Sequence, residues 1–426
     1  MGAKMKNNLL IRDGDLHEAS HIRLQAHYGM VYIYKNKRVF RGINDDKVED
    51  ILALMNSGLI QELIRLKLFP NTQIVDIKLK QYKLVIEHEK IPLRNMFTEW
   101  SFDMFKESAK TTLQINKIAN KYNYEIRDSH FLNTMFFYGK SMFIDLDSFV
   151  IKKSDNWIAY KQFINSYMKL LQLMSLQSNY EYQESVKGMA YYIPNKFYEK
   201  IISKDKQYNL NEILSTETLK QHLKEMVLET KTTTWSNYHD DSEYSLESDN
   251  RLSKIISQVE KYQPIDIVDL ASNAGKFARA ILNEVKSVEH IICIDRDHDA
   301  INKLFHSIGN TNITPVYNDI VDEYYELLSD RPRAELVLAL ALTHHLLLSA
   351  KYEINFIFEL IGSYSNRYVF IEFMPLGLYG GDLEKIPKIP DWYNEEWFES
   401  NFKGHFRLLH KEKIEINRIL FVGEKL

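Results

Sequence analysis

Asp269-Leu-Ala-Ser-Asn-Ala-Gly275 closes the apolar run 265–270, and Asp295 closes a second run, Ile291-Ile-Cys-Ile-Asp295. An acid at the end of one strand, a turn of small residues and a second acid about 20 residues beyond the glycine form a nucleoside-binding pattern. The small residues let backbone approach a ligand, and the second carboxylate grips ribose hydroxyls. A dinucleotide calls for three glycines, because its pyrophosphate sits against the helix N-terminus. Here the turn has one, Gly275, with Ala271, Asn273 and Ala274 nearby, so the ligand need not carry a pyrophosphate. Two more polar groups follow at strand ends. Asn318-Asp319 closes the third run, where a carboxylate can accept from an adenine amine, and Ala341-Leu-Thr-His-His345 closes the fourth.

Proton transfer at such a rim has three candidates. Histidine titrates near neutrality, so His344 or His345 suits a general base acting on an oxygen or nitrogen. Glu372, in Ile371-Glu-Phe-Met-Pro375, is the third. Each has a plain structural alternative, since histidines pack in cores and strand-end acids cap turns. Transfer to an oxygen that is already anionic needs no base, only alignment and desolvation. Cys293 lies mid-strand and reads as a buried small apolar residue.

These residues need a scaffold, and the pattern supplies one. Helices at 251–261, 276–284, 299–309, 320–328 and 352–363 alternate with strands at 265–270, 290–295, 312–317, 335–341 and 367–373. The tail segments 402–409, 413–416 and 419–424 read as further strands. Such alternation implies an α/β doubly wound, mostly parallel sheet with ligands at the carboxyl ends of its strands. Residues 22–90 instead show β-rich runs at 30–34, 38–43, 73–80 and 82–87 around one helical segment, 46–66. Residues 97–230 are mostly helical, with helical spacing in 113–122, 157–176 and 212–230. The expected organisation is a domain at 1–230, a linker at 231–250 and a second domain at 251–426. The linker is polar yet aromatic, and its Trp235 and Tyr238 either close over a cationic ligand or dock one domain on the other.

Bulk properties narrow the classes. A chain of 426 residues has room for two or three domains, and 45% hydrophobic with 26% charged residues is ordinary for a globular protein. A net charge of −4 gives no support to a nucleic-acid partner. The single cysteine excludes an intramolecular disulfide and a multi-cysteine zinc site, and fits a reducing cytosol. No apolar core follows Met1-Gly-Ala-Lys-Met-Lys6, so no signal peptide is expected, and Lys6 breaks the myristoylation pattern. The stretch 336–350 is too short to span a bilayer. A cytoplasmic protein without a transmembrane segment is expected, its oligomeric state open.

With one glycine in the turn, S-adenosylmethionine fits better than a dinucleotide, being a nucleoside that carries a sulfonium and an amino acid. Residues 265–375 resemble class I S-adenosylmethionine-dependent methyltransferases. The resemblance implies a Rossmann-like methyltransferase sheet in which Asp269, Ala271, Asn273 and Gly275 cradle the methionine moiety. It likewise implies that Asp295 binds ribose and that Asn318 and Asp319 meet adenine. Ala271 stands where the family commonly has glycine; alanine lacks ready access to positive φ, so negative φ is expected there. More narrowly, Thr233-Thr-Trp-Ser-Asn-Tyr-His-Asp-Asp241, Leu338-Ala-Leu-Ala-Leu-Thr-His-His-Leu346 and Ile371-Glu-Phe-Met-Pro375 resemble a bacterial group of nodulation-protein-like methyltransferases.

In the N-terminal half, Asp128-Ser-His130-Phe-Leu-Asn133 followed by Phe143-Ile-Asp145 resembles the core of kinase-like phosphotransferases, nearest the aminoglycoside- and sugar-phosphotransferase branch. That implies an α+β two-lobed domain with a hinge near 87–89. Asp128 would accept the acceptor's proton while Asn133 and Asp145 hold magnesium. Two departures stand out. Residues 22–41 hold one glycine, Gly29, where a glycine-rich lid belongs, and the strand that should offer a lysine reads Arg38-Val-Phe-Arg41. Arg41 becomes the expected phosphate-pairing residue, with altered geometry. The expected function is methyl transfer to an oxygen, or a phosphate oxygen, of a glycan or small metabolite that the kinase-like domain positions. One alternative is a bifunctional enzyme that uses ATP and magnesium to phosphorylate a sugar hydroxyl and then methylates that phosphate. Another is a non-catalytic, cofactor-sensing protein.

Overall fold

The computed structural model describes residues 16–18, 28–35, 38–91, 95, 97–137, 139–176, 198–200, 210, 212–228, 250–309, 311–321, 331–379 and 387–426. By its internal contacts the chain forms two units. One is Met1–Phe97 with Phe105–Glu229, and the other is Thr98–Met104 with Thr230–Leu426.

The first unit holds an antiparallel sheet of order β1-β2-β3-β5-β4, formed by β1 (Leu16–Glu18), β2 (Gly29–Tyr34), β3 (Arg38–Ile43), β4 (Thr72–Val75) and β5 (Leu84–His88). The helix expected over 46–66 is two helices, α1 (Val48–Asn56) and α2 (Leu59–Arg65). Gly58 at φ 88° turns the chain between them through a conformation that costs glycine little. The expected strand 73–80 is shorter because Leu79 and Tyr82 bridge across a tight turn with Lys80 at φ 45°. Ile51, Leu54, Leu59 and Leu63 pack with Ile43 and Ile86 of the sheet and with Ile115 and Ile118 of α3 (Phe102–Lys121) in one core. Two small antiparallel pairs follow, β6 (Tyr124–Ile126) with β9 (Phe149–Ile151) and β7 (Thr134–Phe137) with β8 (Lys140–Phe143). The first pair brackets the stretch from Asp128 to Asp145, and the second lies within it. Then come α4 (Tyr160–Phe163), a π turn over Ile164–Met168, α5 (Lys169–Ser175) and α6 (Thr216–Glu225). Ser215 caps α6 by accepting from the Thr218 N–H, so this helix starts later than the expected 212.

Among the described residues after position 230, the second unit runs α7 (Asn250–Tyr262), β10 (Asp266–Leu270), α8 (Lys276–Glu284), β11 (His290–Asp295), α9 (His298–Ser307) and β12 (Ile313–Tyr317). It continues with β13 (Ala334–Ala339), α10 (Ile354–Ser363), β14 (Ser365–Phe373), α11 (Glu395–His405), β15 (Phe406–Glu415) and β16 (Arg418–Lys425). The sheet runs β12-β11-β10-β13-β14-β16-β15; the first five are parallel, and β16 is antiparallel to both its neighbours. Every residue of β11 and β12 is buried, as expected of strands covered on both faces. Strand order reverses at β10, whose neighbours are β11 and β13, and such a reversal opens a crevice at the carboxyl ends.

Two expectations change here. Residues 402–405 finish α11 instead of starting a strand. Asn394 caps that helix by accepting from the Trp397 N–H, and Phe398 and Phe402, one turn apart, both meet Phe358. Most of the helix expected at 320–328 lies outside the described residues.

The short segment Thr98–Met104 is fixed to α9. His298, Asn302 and His306 share one face of that helix. His298 Nε2 accepts from the Phe102 N–H at 2.9 Å, Asn302 Oδ1 accepts from Ser101 Oγ at 2.8 Å, and Asp103 Oδ2 meets Asn302 Nδ2 at 2.9 Å and His306 Nε2 at 2.8 Å. Among the described residues no helix is long and apolar enough to cross a membrane.

Candidate functional site

The turn after β10 alternates in hand. Ala271, Asn273 and Gly275 sit at φ 56°, 49° and 72°. The negative φ expected at Ala271 is therefore corrected. A left-handed alanine costs about 1–2 kcal/mol, so something must hold it there. Three hydrogen bonds do: Ser272 N–H to the Ile294 carbonyl at 3.1 Å, Asn273 N–H to Asp295 Oδ2 at 2.7 Å, and Gly275 N–H to the Ser272 carbonyl at 3.0 Å. Two of these tie the turn to the end of β11. The glycine has its own reason: a Cβ on Gly275 would stand 2.6 Å from Leu304 Cδ1, where α9 closes on the start of α8.

Asp269 is 3% exposed, and among the described residues no donor reaches its carboxylate. Burial, then the neighbouring charge of Asp295, push it up to about 8, with Arg251 opposing. Asp295 takes hydrogen bonds from Asn273 N–H on one oxygen and Asp297 N–H on the other, both at 2.7 Å. Burial still pushes it up to about 6. Asp297 caps α9 by accepting from the Asp299 and Ala300 N–H groups at 2.9 and 3.0 Å. At the next strand end, Asn318 N–H donates to the Asp295 carbonyl at 3.0 Å. Asp319 accepts from the Val321 N–H at 3.2 Å and lies 3.6 Å from Arg296. The ends of β10, β11 and β12 thus gather Asp269, Asp295, Asn318 and Asp319 on one rim.

Glu372 departs from the role of a base. It is fully buried and accepts from Arg251 Nε and Nη2 at 2.7 Å each, from Arg418 Nη1 at 3.0 Å and from the Ala341 N–H at 2.8 Å. Burial opposes its charge, yet the two guanidinium groups and the Ala341 amide hold the carboxyl below its usual range. An acid with both oxygens engaged braces α7, β14, β16 and the turn after β13, an arrangement unlike that of a free general base. His344 changes too. It is 5% exposed, and burial, then His345, Arg418 and Arg251, drive it down to about 3, so its ring stays neutral and resists protonation. Its Nδ1 has no partner among the described residues. The His345 ring lies 4.0 Å from it, half-buried, and is lowered chiefly by burial. Arg251 and Arg418 escaped sequence reasoning. The signal for Arg251 was a charge on the apolar face of α7, beside Leu252 and one turn before Ile255. Arg418, past a hairpin turn, gave none.

In the first unit Asp128, Asn133 and Asp145 meet around Ser148. Asn133 Nδ2 donates to the Asp128 carbonyl and to Ser148 Oγ, each at 3.1 Å. Ser148 Oγ donates to Asp145 Oδ2 at 2.7 Å, and the Asp147 N–H to Asp145 Oδ1 at 3.0 Å. Burial, then Asp147, raise Asp145, with Arg41 opposing. Arg41 does not stand open toward a phosphate as expected. Its guanidinium forms a buried ion pair with Asp147, since a guanidinium taken out of water needs a carboxylate beside it. Asp128, half-exposed, lies 3.3 Å from Arg127. Among the described residues no group of three or more His, Cys, Asp or Glu is placed to hold a metal ion. Trp235 and Tyr238 lie outside the described residues.

No family model matches the chain, and no curated protein matches it. Several solved structures similar to it are methyltransferases. A S-adenosylmethionine-dependent methyltransferase from Clostridium acetobutylicum is 13% identical over 44% of this chain and 95% of its own, with a TM-score of 0.33. A SAM-dependent methyltransferase from Aquifex aeolicus is 11% identical over 43% of this chain and 100% of its own, with a TM-score of 0.31. An O-methyltransferase family protein from Burkholderia thailandensis is 13% identical over 42% of this chain and 57% of its own, with a TM-score of 0.31.

Proposed function

We propose that the second unit is a S-adenosylmethionine-dependent methyltransferase acting on an oxygen of a glycan or small metabolite, or of a phosphate attached to one. One observation supports it above the rest. Where strand order reverses, the buried and donorless Asp269 stands beside a turn bent through three left-handed residues, with Asp295 and Asp319 at the next two strand ends. A ligand offering a cation to Asp269, ribose hydroxyls to Asp295 and an adenine amine to Asp319 satisfies all three carboxylates. S-adenosylmethionine has these groups and, when bound, supplies an electrophilic methyl group. The chain's own part is to bind, orient and exclude water. His344 and His345, just past the end of β13, would line the approach of the acceptor. Because His344 resists protonation and Glu372 is committed, an oxygen that arrives anionic, such as a phosphate, suits this rim best. Isothermal titration of the full chain with S-adenosylmethionine tests the reading. One-to-one binding is expected, and absence of any binding at saturating cofactor ends it.

A second reading concerns the first unit and draws on the meeting of Asp128, Asn133 and Asp145 around Ser148. In it the unit is kinase-like, with Asn133 and Asp145 holding the magnesium of bound ATP, and phosphorylates a sugar hydroxyl before methylation. The Arg41–Asp147 pair weighs against it, because the guanidinium must leave a buried carboxylate to meet a phosphate. Magnesium-ATP is expected to raise the melting temperature of wild type but not of Asp145→Asn. No shift in wild type leaves the unit as a scaffold that positions the acceptor.

A further inference from the structure

We propose that binding of S-adenosylmethionine releases a proton held by the Asp269–Asp295 pair. This rests on reading the second unit as a binder of that cofactor, and it assigns that site a proton linkage.

Charge bookkeeping around the two acids supports it. They close adjacent parallel strands, with Asp269 in register with Cys293, two residues before Asp295. Both are buried, at 3% and 9% exposure. Each nearby cation is engaged elsewhere. Arg251 of α7 faces Asp269 but is forked onto Glu372 through Nε and Nη2. Arg418 spans Glu372 and Glu415. Arg279 of α8 donates to Ser307, and Arg296 is largely exposed beside Asp319. Three further titratable groups beside the pair add no positive charge. The Cys293 thiol is pushed well up by burial and stays neutral, His344 past β13 is neutral, and Asp297 caps α9. Two buried carboxylates without a counter-ion of their own cannot both ionise cheaply, so one retains a proton near neutral pH. The upward displacement of both acids agrees with this.

The cofactor brings an ammonium and a sulfonium. Its positive charge takes the place of the proton, which passes to the buffer: protonated pair plus cofactor gives the ionised pair with cofactor bound and one hydrogen ion. The sign follows. The free pair holds its proton up to about pH 8, while the bound pair gives it up at lower pH. Affinity therefore strengthens as pH rises toward 8, by up to about tenfold per unit for one proton, and levels off above.

Calorimetric titration of the full chain at neutral pH, repeated in buffers of differing ionisation enthalpy, reads the proton directly. The slope of observed enthalpy against buffer enthalpy should report release of about one proton in wild type and about none in Asp269→Asn. Binding of S-adenosylmethionine with zero slope in wild type, or an unchanged slope in Asp269→Asn, overturns the linkage and leaves the methyltransferase reading intact. No binding in wild type removes that reading as well. If Asp269→Asn fails to fold or bind, the wild-type affinity between pH 6 and 9 decides: a rise supports the linkage and a flat profile refutes it.

Discussion

Glu372→Ala is expected to lower the stability of the second unit by roughly 3–5 kcal/mol, the cost of leaving a buried charge uncompensated. The carboxylate lies between Arg251 and Arg418, which reach it from residues 121 and 46 positions away in sequence. Removing it leaves two guanidinium groups facing one another in the core, and takes an acceptor from the Ala341 N–H at a left-handed residue of φ 51°. Glu372→Gln keeps the shape and one acceptor, so it should lose less. Converting Arg251 and Glu372 together to leucine should recover much of the loss, because Arg418 retains Glu415. Chemical denaturation of the three variants measures this. A change below about 1 kcal/mol in Glu372→Ala would mean that the charge is not confined as described. Since Glu372 is held below its usual range, its contribution is present above the ordinary carboxylate range and fades as pH falls through its folded value. Asp269 acts in the opposite sense: the folded unit holds a proton that the unfolded chain surrenders, so its burial weighs more heavily on stability as pH climbs from about 4 to 8.

Asp295→Ala is expected to weaken cofactor binding by a factor of about 100 or more. A hydrogen bond to a charged group contributes about 1.5–3 kcal/mol, and on the proposed reading the carboxylate grips two ribose hydroxyls. The same oxygens also accept from the Asn273 and Asp297 N–H groups, so truncation frees a turn whose Ala271 and Asn273 would otherwise leave left-handed backbone. Asp295→Asn, which keeps one acceptor oxygen, should fall between. Retention of radiolabelled S-adenosylmethionine, with circular dichroism as the folding control, separates lost grip from lost fold. Wild-type affinity in a folded Asp295→Ala protein would count decisively against the site.

The central sheet is legible in the sequence. Strand 290–295 and helix 276–284 fall where their patterns place them, because strands buried on both faces are nearly all apolar and the intervening helix is bounded by Gly275. Periodicity, however, reports only neighbours along the chain. It ran one helix through Gly58, and it read 402–405 as strand because the aromatic spacing suits either structure until the Asn394 cap is known. The site divided in the same way. Acids at strand ends are local features and were found. The hand of Ala271, the commitment of Glu372 and the pairing of Arg41 with Asp147 depend on partners far away in sequence, which no single-window pattern contains.

The binding of Thr98–Met104 to α9 bears on how this protein can be dissected. A fragment started anywhere after residue 230 would look self-sufficient on paper. It would nonetheless strip Ser101, Phe102 and Asp103 from the helix that follows Asp295, baring Asn302 and His298 on a surface they normally keep covered. The halves are interlaced in sequence, so a single cut near residue 230 does not part them cleanly.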